Sequence, residues 1–266
     1  MTWYTGNPHY DTVLTFAFGI AAVAGVAGLF VQSPYGRFAD SRYGVGLDPR
    51  LGWFLMELPA TVSFLYFYFQ GPLRDQPFAL FVLCVWLIHY ANRGFLMPAL
   101  MRVPRGRRTT FSVMVVVIGW VVTSLHGYLN AVWASALAPQ ALMGFAWFSD
   151  PRFVVGVLLY ALGLAANIRS DHVVRSLRTK EEVEQGITRY RIPRGGLFEY
   201  VTNASYLTEI VAWAGFAIFT WSLAGVFILV VSLANLVPRA IATHRWYREK
   251  FPDYPRGRKI LIPFVW

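Results

Sequence analysis

Apolar residues in this chain fall into long unbroken blocks, not the alternating or amphipathic patterns of a fold whose surface meets water. Runs able to cross ~30 Å of hydrocarbon at ~1.5 Å per residue lie at about 12–31, 51–70, 78–101, 110–138, 153–168, 205–220 and 222–238. The pattern predicts an all-α integral membrane protein of about seven transmembrane helices. The fifth and sixth runs are short and only Trp221 separates the last two, so a final hairpin and a re-entrant arrangement are both open there. The first run lacks a basic start and reads as a membrane span, not as a removable signal peptide. No repeat or low-complexity linker divides the chain, which predicts one domain over residues 1–266.

The polar segments between the runs orient the bundle. With the N-terminus outside, 21 of the 24 Lys and Arg residues fall in inner segments, only Arg74 and Arg152 in outer loops, and Arg93 within the third run. Such one-sidedness predicts an outer N-terminus and a cytoplasmic C-terminus. It also accounts for the net charge of +10 without a nucleic-acid partner. Two inner segments are long and polar, 169–204 and the aromatic-rich tail 239–266. They are where a soluble ligand would bind, and the tail is expected to pack on the bundle or lie at the interface.

Composition then narrows the chemistry. Hydrophobic residues make up 56% of the chain and charged ones 14%, so a charge inside a span is expensive and is read as functional unless it is paired. Glu57 and Glu209 are the two acidic residues inside predicted spans. An ion pair with Arg93 that only stabilises the bundle is the alternative for both. Glu57 lies roughly 9 Å into its run and Tyr90 roughly 17 Å before the inner end of the next, at ~1.5 Å per residue. Glu57, Tyr90, Arg93, Glu209 and Asn167 thus gather toward the inner leaflet, where a lipid-soluble substrate and a cytoplasmic cofactor can meet. His89 and His126 fit no metal-ligand spacing and are read as interhelical hydrogen-bonding groups. Cys84, the single cysteine, makes neither a disulfide nor a thiolate metal site, so no metal is predicted. No glycine-rich phosphate loop is present, which leaves any nucleotide to be held mainly by side chains.

Several motifs carry a resemblance. The chain ends His244-Arg-Trp-Tyr247, Phe251-Pro-Asp-Tyr-Pro255 and Arg258-Lys-Ile-Leu-Ile-Pro-Phe264. Upstream stand Asn167-Ile-Arg-Ser-Asp171 followed by Leu177-Arg178, Tyr190-Arg-Ile-Pro-Arg-Gly-Gly-Leu-Phe198, Glu57-Leu-Pro59, and His89-Tyr90 with Arg93. Together these resemble the steroid 5-alpha-reductase family over nearly all the chain beyond residue 50. The resemblance implies a reductase, in a bacterial cytoplasmic membrane or a eukaryotic endoplasmic reticulum, that uses NADPH to reduce the 4,5 double bond of 3-oxo-4-ene steroids. It implies NADPH binding by Asn167, Asp171, Arg178, Tyr190, Arg191, Glu209, Arg239, His244 and Tyr247, with Arg93 beside them. The chain departs from the pattern at Met56, where a Gln often stands, at Ser205, where an Asn is usual, and at Thr243, where many members have a second His. Asn203 is the candidate to replace the missing Asn.

The chemistry follows from these residues. Hydride addition to a conjugated enone leaves charge on the ketone oxygen, and a neutral Glu57 carboxyl with the Tyr90 hydroxyl would stabilise that oxygen as hydrogen-bond donors. Arg102, Arg105, Arg107 and Arg108 either approach the cofactor's 2′-phosphate or serve as positive-inside anchors. Other readings remain open: reduction of another lipid enone, a polyprenol, a sterol ring or an enoyl thioester; a membrane methyltransferase; or a transporter relaying protons through Glu57, Glu209 and Arg93.

Overall fold

The computed structural model describes residues 1, 3–105 and 110–266; Arg107 and Arg108 lie outside them. It is 72% helical, which fixes the all-α class. Seven long helices follow one another among the described residues, in the order of the seven apolar runs: α1 (Pro8–Phe30), α2 (Pro49–Tyr68), α3 (Pro77–Ala99), α4 (Val113–Leu137), α5 (Pro151–Ser176), α6 (Ala204–Thr220) and α7 (Leu223–Lys250). Helices α1, α3, α4, α5 and α7 are long and apolar enough to cross a bilayer, whereas α6 has 17 residues and is shorter. The protein is a multi-pass membrane protein. Phe16, Val23, Ile118, Val121, Leu158 and Leu162 are exposed on its outer faces, where lipid rather than water is their solvent.

Helix starts are written locally. Asn7-Pro8, Asp48-Pro49 and Asp150-Pro151 each pair a capping side chain with a proline at the first helical position. The Asn7 amide oxygen accepts from the Tyr10 N–H at 3.1 Å, the Asp48 carboxylate from Arg50 at 2.9 Å and Asp150 from Arg152 at 2.8 Å. The last two helices are joined by Trp221 and Ser222, of which Trp221 takes a left-handed conformation (φ 47°). Ser222 then caps α7 by accepting from the Gly225 N–H at 2.9 Å.

Three boundaries differ from the sequence expectation. Helix α5 runs on to Ser176 and α7 to Lys250, so both long polar segments begin as helix. Hydropathy marks only the part of a helix that lies in lipid; the backbone hydrogen bonds continue regardless into Arg169–Arg175 and Arg239–Arg248. Helix α4 starts late because Phe111–Ser112 (β2) pairs antiparallel with Gly46–Leu47 (β1), Gly46 opposite Ser112.

Glycines bring the helices together. A Cβ on Gly127 of α4 would stand 2.9 Å from the Ala60 carbonyl oxygen of α2, and one on Gly215 of α6 would stand 2.4 Å from the Tyr160 nitrogen of α5. Such backbone-to-backbone packing is how small residues bind helices where no hydrophobic force acts between them. The tail turns back on residues 200–203, with the Thr202 N–H donating to the Lys259 oxygen and the Lys259 N–H to Tyr200, both at 2.8 Å. Tyr254, Arg258 and Leu261 are buried there, so the tail packs on the bundle as its aromatic content predicts.

Candidate active site

Glu57 sits in the third turn of α2 and Tyr90 on α3, just before a π-helical turn over Ala91–Leu96. Such wide turns recur at functional sites because they re-aim side chains within an otherwise regular helix. Gly94, inside that turn, lets α2 approach: a Cβ added to it would lie 3.4 Å from the Glu57 Cβ and 4.0 Å from Tyr90 Cδ1. Glu57 and Tyr90 are therefore neighbours across Gly94. Both line a cavity of about 570 Å³ whose walls include Met56, Ile118, Val122, Ile228 and Val231. Several polar atoms around it have no hydrogen-bond partner among the described residues: Trp53 Nε1, His89 Nδ1 and His126 Nδ1.

Below this pair lies an ion cluster. Arg93 Nη1 is 3.4 Å from Asp171 Oδ2 and its Nε 3.9 Å from Glu209 Oε2, while the guanidinium stacks over Trp53 with its carbon 4.8 Å from the ring centroid. Glu209 also accepts from Trp213 Nε1 at 3.1 Å and lies 3.6 Å from His89 Nε2. One arginine on α3 thus answers carboxylates on α5 and α6. Charges this far from water persist only when paired and hydrogen-bonded, so each member of the cluster fixes the others.

The cavity continues through Tyr35, Arg37, Asp171, Tyr206, Arg239 and Tyr247 into a second chamber of about 370 Å³. Among the described residues its lining contains seven arginines, at 37, 102, 175, 178, 189, 191 and 239, and Asp171 as its acidic residue. A chamber of this composition attracts a polyanion, and guanidinium forks suit phosphate oxygens. Arg178 and Arg102 each donate to the other's backbone carbonyl, tying residues 102–104 to the end of α5. Arg191 donates to Glu182 at 2.6 and 2.8 Å and to the Leu177 carbonyl. Its hydrogen bonds, with one from the Thr179 N–H, hold the Glu182 carboxyl down at about 2. Arg37 faces three rings, Tyr190 at 5.7 Å, Trp246 at 4.6 Å and Tyr247 at 4.7 Å, and donates to the Tyr247 hydroxyl at 3.3 Å.

Of the residues singled out from sequence, Glu57, Tyr90, Arg93, Asn203, Ser205 and Glu209 line the main cavity, Arg178, Tyr190 and Arg191 the second chamber, and Asp171, Arg239 and Tyr247 both. Asn167 and His244 line neither. Asn167 is sealed between α5 and α6, its amide donating to the Ser205 carbonyl at 2.8 Å, and His244 Nδ1 bonds the Thr202 hydroxyl at 2.6 Å. Asn203 faces the cavity while its amide donates to the carbonyls of Ala240 and Ile260 at 3.1 and 2.9 Å, so it also binds the tail to α7. Arg102 lines the second chamber; Arg105 does not.

Sequence reasoning missed the loop between α1 and α2. Tyr35 and Arg37 stand at the junction of the chambers, and Arg239 donates to the carbonyls of Ser33 and Tyr35, both at 3.2 Å. The signal was an aromatic and a base flanking Gly36, counted only as positive-inside charge. His89 and His126 form the interhelical contacts expected of them, His126 Nε2 lying 2.8 Å from the Tyr90 hydroxyl.

The chain is similar to known proteins. A family model described as 3-oxo-5-alpha-steroid 4-dehydrogenase matches residues 109–266. The chain is 40% identical over 257 residues to 3-oxo-5-alpha-steroid 4-dehydrogenase 1 of Rattus norvegicus, covering 95% of this chain and 94% of that protein. It is 37% identical over 237 residues to the Homo sapiens protein of that name, covering 88% and 86%. A steroid 5-alpha-reductase of Solanum lycopersicum is 35% identical over 239 residues, with 89% of each chain covered.

Proposed function

Since the chain belongs to the steroid 5-alpha-reductase family of oxidoreductases, we propose that it reduces the 4,5 double bond of 3-oxo-4-ene steroids with NADPH, Glu57 and Tyr90 polarising the ketone. The observation that carries this reading is the adjacency of those two side chains across Gly94, in a largely apolar cavity that continues into a chamber of arginines. A steroid ketone reaching the pair meets two hydrogen-bond donors, the Tyr90 hydroxyl and a neutral Glu57 carboxyl. Reduction at the beta carbon puts charge on that oxygen, and donors already in place in a dry site stabilise it without reorganisation.

The donor chemistry of the second chamber fits a phosphorylated dinucleotide. Arg178 and Arg191, with Arg37, Arg102 and Tyr190, would hold its phosphates and sugars, while Asp171, Asn203, Ser205, Glu209, Arg93, Arg239 and Tyr247 flank the passage to Glu57. Asn167 and His244 support this lining from behind. When bound, NADPH supplies the hydride. The sidedness of the basic residues supports passage of all seven helices through the bilayer, with the N-terminus outside and the tail in the cytoplasm.

The test is NADPH consumption by the detergent-solubilised protein with testosterone or progesterone, with products identified by mass. Steroid-dependent oxidation adding two hydrogens to the steroid is expected. Glu57→Leu and Tyr90→Phe, each of which removes one donor, should each lower the rate by about 10²–10³, the usual loss for one oxyanion donor, with NADPH affinity kept. NADPH binding without turnover would move the substrate to another lipid enone, and absence of NADPH binding would overturn the reductase reading.

A further inference from the structure

Tyr90 reaches into the cavity with a hydroxyl that has one hydrogen-bond partner among the described residues, His126 Nε2 at 2.8 Å. Both rings are held by Trp86, 5.0 Å from Tyr90 and edge-on to His126 at 5.6 Å, and Trp86 is itself fixed by donating to the Ala60 carbonyl at 3.2 Å. Gly127, the next residue along α4, allows the close approach to α2 that seats this triad.

A neutral imidazole carries one N–H, on either nitrogen. If Nδ1 carried it, Nε2 would accept the Tyr90 proton. The Tyr90 hydroxyl would then have nothing to donate to a ligand, and the Nδ1–H would be left unpaired, because the buried Nδ1 has no hydrogen-bond partner. If Nε2 carries the proton, it donates to the Tyr90 oxygen, Nδ1 is a bare lone pair, and the phenolic O–H must find another acceptor. A buried N–H without an acceptor is the rarer and costlier defect. With an acceptor in the cavity, such as a substrate ketone, to take the Tyr90 O–H, the second tautomer is therefore the one that this site selects.

We infer that His126 is a positioning residue that occupies the Tyr90 oxygen with its Nε2–H and so keeps the Tyr90 O–H aimed as a donor into the cavity. The inference rests on the reading of Tyr90 as a donor to the substrate ketone. It assigns His126 no contact with substrate and no proton transfer.

The experiment combines histidine tautomers read by NMR on the ¹⁵N-histidine-labelled protein with kinetics of four variants: His126→Gln, His126→Leu, Tyr90→Phe and the Tyr90→Phe/His126→Leu double variant. The expected tautomer of His126 is Nε2–H. His126→Leu should lower kcat by on the order of tenfold, the worth of one buried hydrogen bond, with KM for steroid and affinity for NADPH nearly unchanged. His126→Gln, whose amide N–H reaches the same place, should recover most of that loss, and His126→Leu should cost nothing further on the Tyr90→Phe background. An Nδ1–H tautomer, an equal loss on that background, or His126→Gln as poor as His126→Leu would overturn the inference. The NMR reading needs no turnover, so a wild-type protein inactive on steroids would sink the proposed reaction while the tautomer still decides the role of His126.

Discussion

Arg239, about three turns before the end of α7, is 7% exposed and uses its whole guanidinium. It donates to the Tyr206 hydroxyl at 3.1 Å and to the carbonyls of Ser33 and Tyr35, and its carbon lies 3.6 Å from the Tyr35 ring centroid. A planar fork does all of this at once, and a lysine ammonium does not. Arg239→Lys should therefore cost roughly 1.5–3 kcal/mol, the range for charged hydrogen bonds. It should also release residues 31–48, seen as a lower melting temperature with faster hydrogen exchange confined to that loop. The sequence marked Arg239 only through the family resemblance. Ser33 and Tyr35 lie more than 200 residues away, and no local pattern reports them.

At the scale of elements, the segment after α5 is clasped by short-range interactions. Thr179 and Glu182 form a capping box over the helix Lys180–Glu184, and Glu182 then takes Arg191. Because the folded carboxyl sits at about 2 against an ordinary value of 4.5, the clasp contributes fully above pH ~4.5. That contribution is lost as pH falls from there toward 2. Glu182→Gln should thus speed hydrogen exchange over residues 179–191 at neutral pH, and the difference from wild type should vanish as pH drops through that window. Helix α5 teaches a related lesson about legibility. Asn167 and Asp171 are one turn apart on one face and belong to one motif, yet α6 seals Asn167 while Asp171 opens onto both chambers. Periodicity gave the shared face; the end of α6 decided which of the two reaches the cavity.

For the whole molecule, the distribution of bases predicts which loops lie in the cytoplasm. Replacing Cys84 by Ala and placing single cysteines at Gln140 or Lys180 gives a direct test with a membrane-impermeant maleimide on sealed inside-out and right-side-out vesicles. Lys180→Cys should label only in inside-out vesicles and Gln140→Cys only in right-side-out ones; the reverse pattern would invert the bundle.

The sequence by itself determined the number and order of the long helices, their capped starts, the asymmetry of charge and the motifs that identify the family. All of these are local or compositional, set by hydrophobic length and neighbouring residues. Only the tertiary structure decided how each helix is rotated about its axis, and so which motif residues line the cavity. It alone brought Tyr35 and Arg37 to the junction, set Glu57 beside Tyr90 across Gly94, and gave His126 to Tyr90. Those pairings depend on glycine-mediated approaches and hydrogen bonds between residues far apart in the chain, whose energies exist only once the helices have packed.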